Sequence, residues 1–332
     1  MWSAHPHPRP LSRPEGGRGE ILLRLFGRGL LHLVLALVAF VAAAPLTSAA
    51  ERDRALAVDG LNRTYTLVVP KNVTEPLPLI IVFHGGGQTA AQARRYTRFD
   101  EFAESLKIAV VYPQGRGNNW NDGRTSADLN ERPAAGVDDV AFTREIIGQL
   151  VLEGTADPAR VFLTGASNGG MMAMRAGCEL PDRVAGIAPV VANQPAEWRC
   201  EAADLPALFI HGADDEYMPY AGGRIAATKV RRDLGEVMSA DDTIAMYKRV
   251  NGCTGVKETK TLDKIGRDQT KAVITDYECA EAPLKHIVIE GGGHTWPGAR
   301  TNIMGDLLLG NTSEEVSATA EIWTFFKSLP GR

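Results

Sequence analysis

From residue 77 onward the apolar positions of the chain fall into short continuous runs: LPLIIVF, KIAVVYP, VFLTG, AGIAPVVA, PALFIHG and KHIVIE. They are rich in β-branched residues and bounded by Gly or Pro, which predicts strands buried on both faces. An earlier segment, TYTLVVP, alternates polar with apolar and predicts an edge-type strand. Helical spacing marks AQARRYTRFDEFAESL, DDVAFTREIIGQLV and SADDTIAMYKRVNG, and a last helix, SEEVSATAEIWTFFKSL, closes the chain. Ser239, at the head of the third, is the expected N-cap. Buried strands alternating with helices predict an α/β fold, with a mostly parallel central sheet and helices on both faces. In such sheets ligand chemistry sits at the carboxyl ends of the strands. Several of those ends here carry His or Ser beside Gly.

The first residues follow none of these patterns. Residues 1–28 hold many Arg, Pro and Gly, Leu30 to Ala44 is an apolar run, and small residues follow in PLTSAAER. A basic flank, a short apolar core and a small-residue exit predict a secretory signal peptide over residues 1–50. Cleavage is expected after Ala50, with Ser48 at the −3 position, or after Ala49. The run is short for a membrane span, so no stable membrane insertion is expected after cleavage. Residues 51–332 are then expected to form a single domain. The net charge of −4 and isoelectric point near 6.0 give no basic surplus for nucleic acid. The expected state is a monomer.

Export gives the four cysteines a reading. Cys178, Cys200, Cys253 and Cys279 lack metal-ligand spacing, and an even count in an exported chain predicts two disulfides. Sequential pairing, Cys178 with Cys200 and Cys253 with Cys279, is the simplest of three connectivities. The second pair brackets a predicted hairpin, KETKTLDKIGRDQTKAVITDYE.

The segment VFLTGASNGGMMA carries the most chemistry. Gly165-Ala166-Ser167-Asn168-Gly169 lies between a short buried strand and a helix-forming run. A strand–Ser–helix turn holds the hydroxyl exposed at the head of a sheet, over the amides of the new helix. Ser167 is therefore the expected nucleophile. It needs a base, and the base needs an acid to hold its tautomer. Of seven histidines, His5, His7 and His32 lie in the leader and His286 lies inside an apolar strand. His84 and His211 each open a His-Gly turn, where the ring is expected to brace loops. His294, in the Gly-rich loop IEGGGHTWPG after the last strand, is the expected base. FHGGGQ supplies an oxyanion hole: the amides of Gly86 and of Asn168 are the expected donors, each such donor contributing typically ~3 kcal/mol. For the acid, IHGADDEYMPY offers Asp214 and Asp215, and local chemistry does not separate them. Trp120 in GRGNNWNDGR and Trp296, two residues after the base, are the aromatic residues expected on a substrate wall.

Together HGGGQTA, VDDVAFTREII, LTGASNGGMMA, HGADDEYMPY and GGGHTWPG resemble the secreted polyhydroxybutyrate depolymerase and feruloyl esterase-like group of α/β-hydrolases, related to carbohydrate esterase family one. The resemblance spans about residues 55–328. It implies the α/β-hydrolase fold and a Ser167, Asp215, His294 triad, because His211, Gly212, Asp215, Pro219 and Tyr220 meet the family's pattern. It also implies an extracellular ester hydrolase without metal or cofactor, acting on hydroxyalkanoate oligomers or feruloyl-type aryl esters. Cys253 and Cys279 fit the group as well. Where many members read His-Gly-Cys in the first loop, this chain reads His84-Gly85-Gly86, which leaves the subgroup open. Depolymerases that attack solid polymer often carry a separate binding domain. The catalytic body here runs nearly to residue 332, so the expected substrate is small or oligomeric. A serine peptidase on the same fold, or a binding module that has lost its chemistry, are the competing readings.

Overall fold

The computed structural model describes residues 50–201, 204–226, 231–300 and 308–332. The predicted signal segment thus lies outside the described residues, apart from Ala50. Residues from 50 onward belong to one compact unit. Its strands are β1 (Ala50–Val58), β2 (Leu61–Val69), β3 (Leu77–Phe83), β4 (Ala109–Pro113), β5 (Ala156–Ala166) and β6 (Gly186–Val190). They continue with β7 (Ala207–Gly212), β8 (Gly223–Arg224), β9 (Glu236–Val237), β10 (Cys253–Leu262), β11 (Lys271–Cys279) and β12 (Leu284–Glu290).

Ten of these strands form one sheet in the order β1-β2-β4-β3-β5-β6-β7-β12-β11-β10. From β4 through β12 every neighbour is parallel, and an antiparallel pair closes each side. The continuous apolar runs follow from this placement. Along β3, Leu79, Ile81 and Phe83 enter one core while Ile80 and Val82 enter the other. A strand with a core on each face has no position to spare for a polar residue.

The helices are α1 (Ala90–Thr97), α2 (Phe99–Leu106), α3 (Ala127–Asn130), α4 (Asp139–Leu152), α5 (Asn168–Glu179), α6 (Ala240–Val250) and α7 (Ala318–Ser328). One face of the sheet packs against Phe142 and Ile146 of α4, Met172 and Met174 of α5 and Tyr247 of α6. The opposite face packs against Phe99 and Ala103 of α2 and Ile322, Phe325 and Phe326 of α7. Ser239 caps α6 by accepting from the Asp242 amide at 2.9 Å. No helix among the described residues is long and apolar enough to cross a membrane.

Three elements differ from the sequence reading. TYTLVVP is not at the edge: it belongs to β2, and the charged strand AERDRALAV (β1) pairs outside it. An edge strand faces water and carries no apolar signature, while its charges discourage pairing with another chain. The first predicted helix is two, because Arg98 turns left-handed (φ 58°) between α1 and α2. That turn rotates Phe99 into the core at no exposure. The last helix starts only at Ala318. Ser313 and Glu315 serve the neighbouring loop instead, through the Thr270 hydroxyl and the Lys264 and Ile265 amides.

Both disulfides are formed, Cys178–Cys200 and Cys253–Cys279. The first ties the end of α5 to the loop after β6; the second joins residues directly opposite across β10 and β11. Each closes a loop with a sequence separation of 22 or 26 residues, for which the loss of unfolded-state freedom is roughly 3 kcal/mol. Replacing either pair by serine is expected to lower the urea midpoint, with an m-value that rises as the freed unfolded chain exposes more surface. An unmoved midpoint counts against a stabilising role.

Candidate active site

β5 ends at Ala166 and α5 begins at Asn168, so Ser167 alone makes the turn, at φ 55° and ψ −121°. That backbone is strained for a residue with a Cβ. The turn is held by the Ser167 amide donating to the Val190 carbonyl at 2.9 Å. It also needs close backbone approach. A Cβ on Gly165 would stand 2.5 Å from the Phe83 oxygen, and one on Gly169 would stand 2.3 Å from the same atom. The glycines on both sides of the serine are therefore steric requirements of the elbow. Ser167 lines a cleft of about 620 Å³ at the carboxyl ends of the parallel strands.

His294 lines the same cleft. Its loop is held by its own amide, which donates to Leu309 O at 2.6 Å. Its Nδ1 lies 2.7 Å from Asp215 Oδ2, and Tyr217 stacks on the ring with centroids 5.4 Å apart. The other Asp215 oxygen accepts from the amides of Tyr217 and Met218, each at 2.8 Å. A carboxylate at Nδ1 makes that nitrogen the protonated one and leaves Nε2 free to accept. The adjacent carboxylate behaves differently. Asp214 is exposed and contributes its backbone amide to Gly292 O at 3.0 Å. Of the two acids that local chemistry left open, Asp215 is the one that meets His294.

The amides of Gly86 and Asn168 donate to no protein group among the described residues, and both residues line the cleft. The Asn168 side chain is fully committed. Its Oδ1 accepts from the Trp120 amide at 2.9 Å, and its Nδ2 donates to Trp120 O at 3.1 Å and Asp122 Oδ2 at 2.5 Å. This fixes the first residue of α5, and with it the direction of its amide. On the other side His84 braces the glycine loop. Its Nε2 accepts from the Gly115 amide at 3.0 Å, so Nδ1 carries the proton and donates to Gly85 O at 2.9 Å.

Residues 63–192 match the Esterase PHB depolymerase family. The chain carries that match over these residues and has the α/β-hydrolase fold. NocK of Nocardia uniformis subsp. tsuyamanensis, an esterase by assignment only, is 29% identical over 266 residues, covering 76% of each chain. Feruloyl esterase B of Piromyces equi is 29% identical over 193 residues, 55% of this chain and 34% of its own length. This chain therefore spans about a third of that enzyme. Among solved structures, acetyl xylan esterase from Aspergillus awamori superposes with a TM-score of 0.52 at 15% identity, over 74% of this chain and 94% of its own.

The cleft places the two expected wall tryptophans differently. Trp296 lines the cleft, with its indole N–H turned away to Thr319 Oγ1 at 3.1 Å. Trp120 does not line it. It is 4% exposed, donates from Nε1 to His84 O at 2.8 Å, and packs on the Phe83 and His84 rings. Expecting Trp120 on the substrate wall was incorrect: the indole is consumed in bracing the glycine loop from behind. Two residues at the cleft carried no signal in the sequence. Tyr217 covers the His294 ring. Val191, a β-branched residue at φ 45°, is buried directly after β6. Its amide donates to Ile210 O at 2.8 Å, a long-range bond that helps to hold so unfavourable a conformation.

The other histidines among the described residues, His84, His211 and His286, are buried and acid-sensitive. His211 Nε2 faces the Ala192 carbonyl at 3.1 Å, so it carries the proton, and His286 Nε2 donates to His211 Nδ1 at 2.9 Å. Burial, the largest cause, lowers the pKa of His84 and of His211 to about 4 and that of His286 well below its usual value. In the unfolded chain the same rings titrate near 6.5. The unfolded state thus binds more protons between pH 6.5 and 4, and the stability present above pH 6.5 is lost as the pH falls. The slope approaches roughly 1.4 kcal/mol per pH unit for each ring. Thermal melts between pH 7 and 4.5 are expected to show a steep fall in Tm. A flat profile would show that these rings are not held neutral.

Proposed function

We propose that the protein is an exported, serine-dependent hydrolase of carboxylic esters. The observation that carries the reading is the Asp215–His294 contact, set in one cleft with a serine on a strained strand–helix turn. His294 Nε2 takes the Ser167 hydroxyl proton as Oγ attacks the ester carbonyl. The amides of Gly86 and Asn168 receive the charge that develops on the carbonyl oxygen. Collapse of the tetrahedral intermediate expels the alcohol, which takes its proton from His294 and leaves an acyl-serine. Water, deprotonated by the same ring, then releases the acid and restores Ser167. Asp215 stays ionised throughout and stabilises the imidazolium.

The match to the Esterase PHB depolymerase family supports this chemistry. Relatives named feruloyl esterase and poly(3-hydroxyalkanoate) depolymerase support hydroxyalkanoate oligomers and feruloyl-type esters as substrate classes. Two formed disulfides support export to an oxidising compartment. The test is release of nitrophenol from 4-nitrophenyl butyrate by the purified protein, followed by a panel of hydroxybutyrate oligomers, methyl ferulate and acetylated xylan. No turnover on any ester overturns the reading.

A further inference from the structure

Arg124, Arg132, Arg232 and Arg300 all line the cleft that holds Ser167 and His294, and its described lining residues include no Asp or Glu. The chain as a whole carries a net charge of −4, so the cleft has the opposite sign to the protein around it. One of the four charges is already answered. Arg124 donates from Nε and Nη2 to Asp122 at 3.0 and 2.7 Å, and from Nη1 to Leu234 O at 2.6 Å.

Arg132 stands in a different position. It is half-buried, and among the described residues its guanidinium makes one hydrogen bond, from Nη1 to a neutral acceptor, Asn119 Oδ1, at 2.9 Å. No carboxylate among the described residues lies within ion-pair distance of it. Burial first, then the charges of Arg124 and Arg232, lower its pKa, while Asp122 and Asp128 act weakly in the other direction. A partly desolvated guanidinium crowded by two like charges is destabilised until an anion reaches it. It also sits next to the reacting centre. The Asn119 oxygen it binds would lie 3.3 Å from a Cβ on Gly86, a residue of the glycine loop.

We propose that this wall is a carboxylate subsite, built around Arg132 with Arg232 at its mouth. The preferred substrates are then esters that carry a free carboxylate a few bonds from the scissile carbonyl. Planar guanidinium forks match a carboxylate in two-point geometry. The proposal rests on the ester-hydrolase reading and names the substrate class for the same site. The carboxylate can belong to the acyl arm, as in a half-ester of a dicarboxylic acid, or to the alcohol arm, as in an acid-terminated hydroxyacid oligomer.

Two matched pairs separate these sources. The 4-nitrophenyl half-ester of glutaric acid is compared with the same ester whose acid is a primary amide. Likewise 3-butyryloxybutanoate is compared with its amide. At low salt at least one anionic member is expected to be favoured in kcat/KM by about ten-fold. That ratio is expected to collapse toward one in Arg132→Gln and to shrink in Arg232→Gln, while Arg160→Gln, on the far surface, keeps it. Glutarate is expected to inhibit the unaltered protein competitively, which tests the subsite even if Arg132→Gln does not fold. Turnover with no anionic preference in either pair, or a preference insensitive to both cleft variants, overturns the subsite and leaves the ester-hydrolase reading intact. No turnover of the four esters beside turnover of 4-nitrophenyl butyrate overturns the subsite alone, and no turnover of any of the five overturns both.

Discussion

Replacing Ser167 with alanine is expected to lower ester turnover by on the order of 10⁶-fold, with melting behaviour close to that of the unaltered protein. Loss of the nucleophile in a serine hydrolase removes the covalent route entirely, and the residual rate comes from binding and the oxyanion donors alone. The fold should tolerate the change. The turn is held by the Ser167 amide on Val190 O and by the close approach of Gly165 and Gly169 to Phe83, none of which uses the hydroxyl. Alanine keeps the Cβ, so the backbone strain at φ 55° neither grows nor relaxes. A fluorophosphonate probe reads the same assignment directly, since only a serine activated by a neighbouring imidazole reacts quickly. Labelling at another serine, or an active Ser167→Ala protein, would remove Ser167 from the mechanism.

Asp215→Asn is expected to lower kcat by about 10⁴-fold, and Asp214→Asn to leave it within a few-fold. Asparagine preserves the shape of either side chain, so the comparison isolates charge and proton direction. At position 215 the amide must still satisfy the Tyr217 and Met218 N–H groups, which it does through its oxygen. That presents its NH₂ to His294 Nδ1, the atom now 2.7 Å from a carboxylate oxygen. The ring is then driven to the tautomer with its proton on Nε2, where it cannot accept from Ser167. At position 214 the side chain is exposed, and only the backbone amide is engaged, with Gly292. Rates on 4-nitrophenyl butyrate at matched thermal stability decide the ranking, and a larger loss at Asp214 would assign the acid to the wrong residue.

The elbow was legible in thirteen consecutive letters because everything it requires is local. A buried strand, a turn that tolerates no side chain on either side and a helix start are all written between Val161 and Ala173. The parallel sheet was legible for a similar reason: a strand between two cores is almost wholly apolar, and β3 and β6 are apolar at every position. His294 could be named by elimination among seven histidines and by its Gly-rich loop.

Long-range contacts hold the rest. Asp215 and His294 are 79 residues apart in the chain, and residues 214 and 215 are chemically identical until β7 and β12 pair in register. That pairing sets Ala213 on Ile289 O and Asp214 on Gly292 O, and so turns the next carboxylate toward the imidazole. The two tryptophans show the same division. Position in the sequence put both near the site, but the Asn168 and His84 hydrogen bonds draw Trp120 into the core, while Thr319 anchors Trp296 at the cleft. The charged strand β1, the left-handed Val191 and the arginine wall also left no mark along the chain. Periodicity and turn chemistry are properties of neighbouring residues and can be read one segment at a time. Which side chain faces a cleft depends on strand register and on hydrogen bonds between distant segments, and those exist only once the sheet has closed.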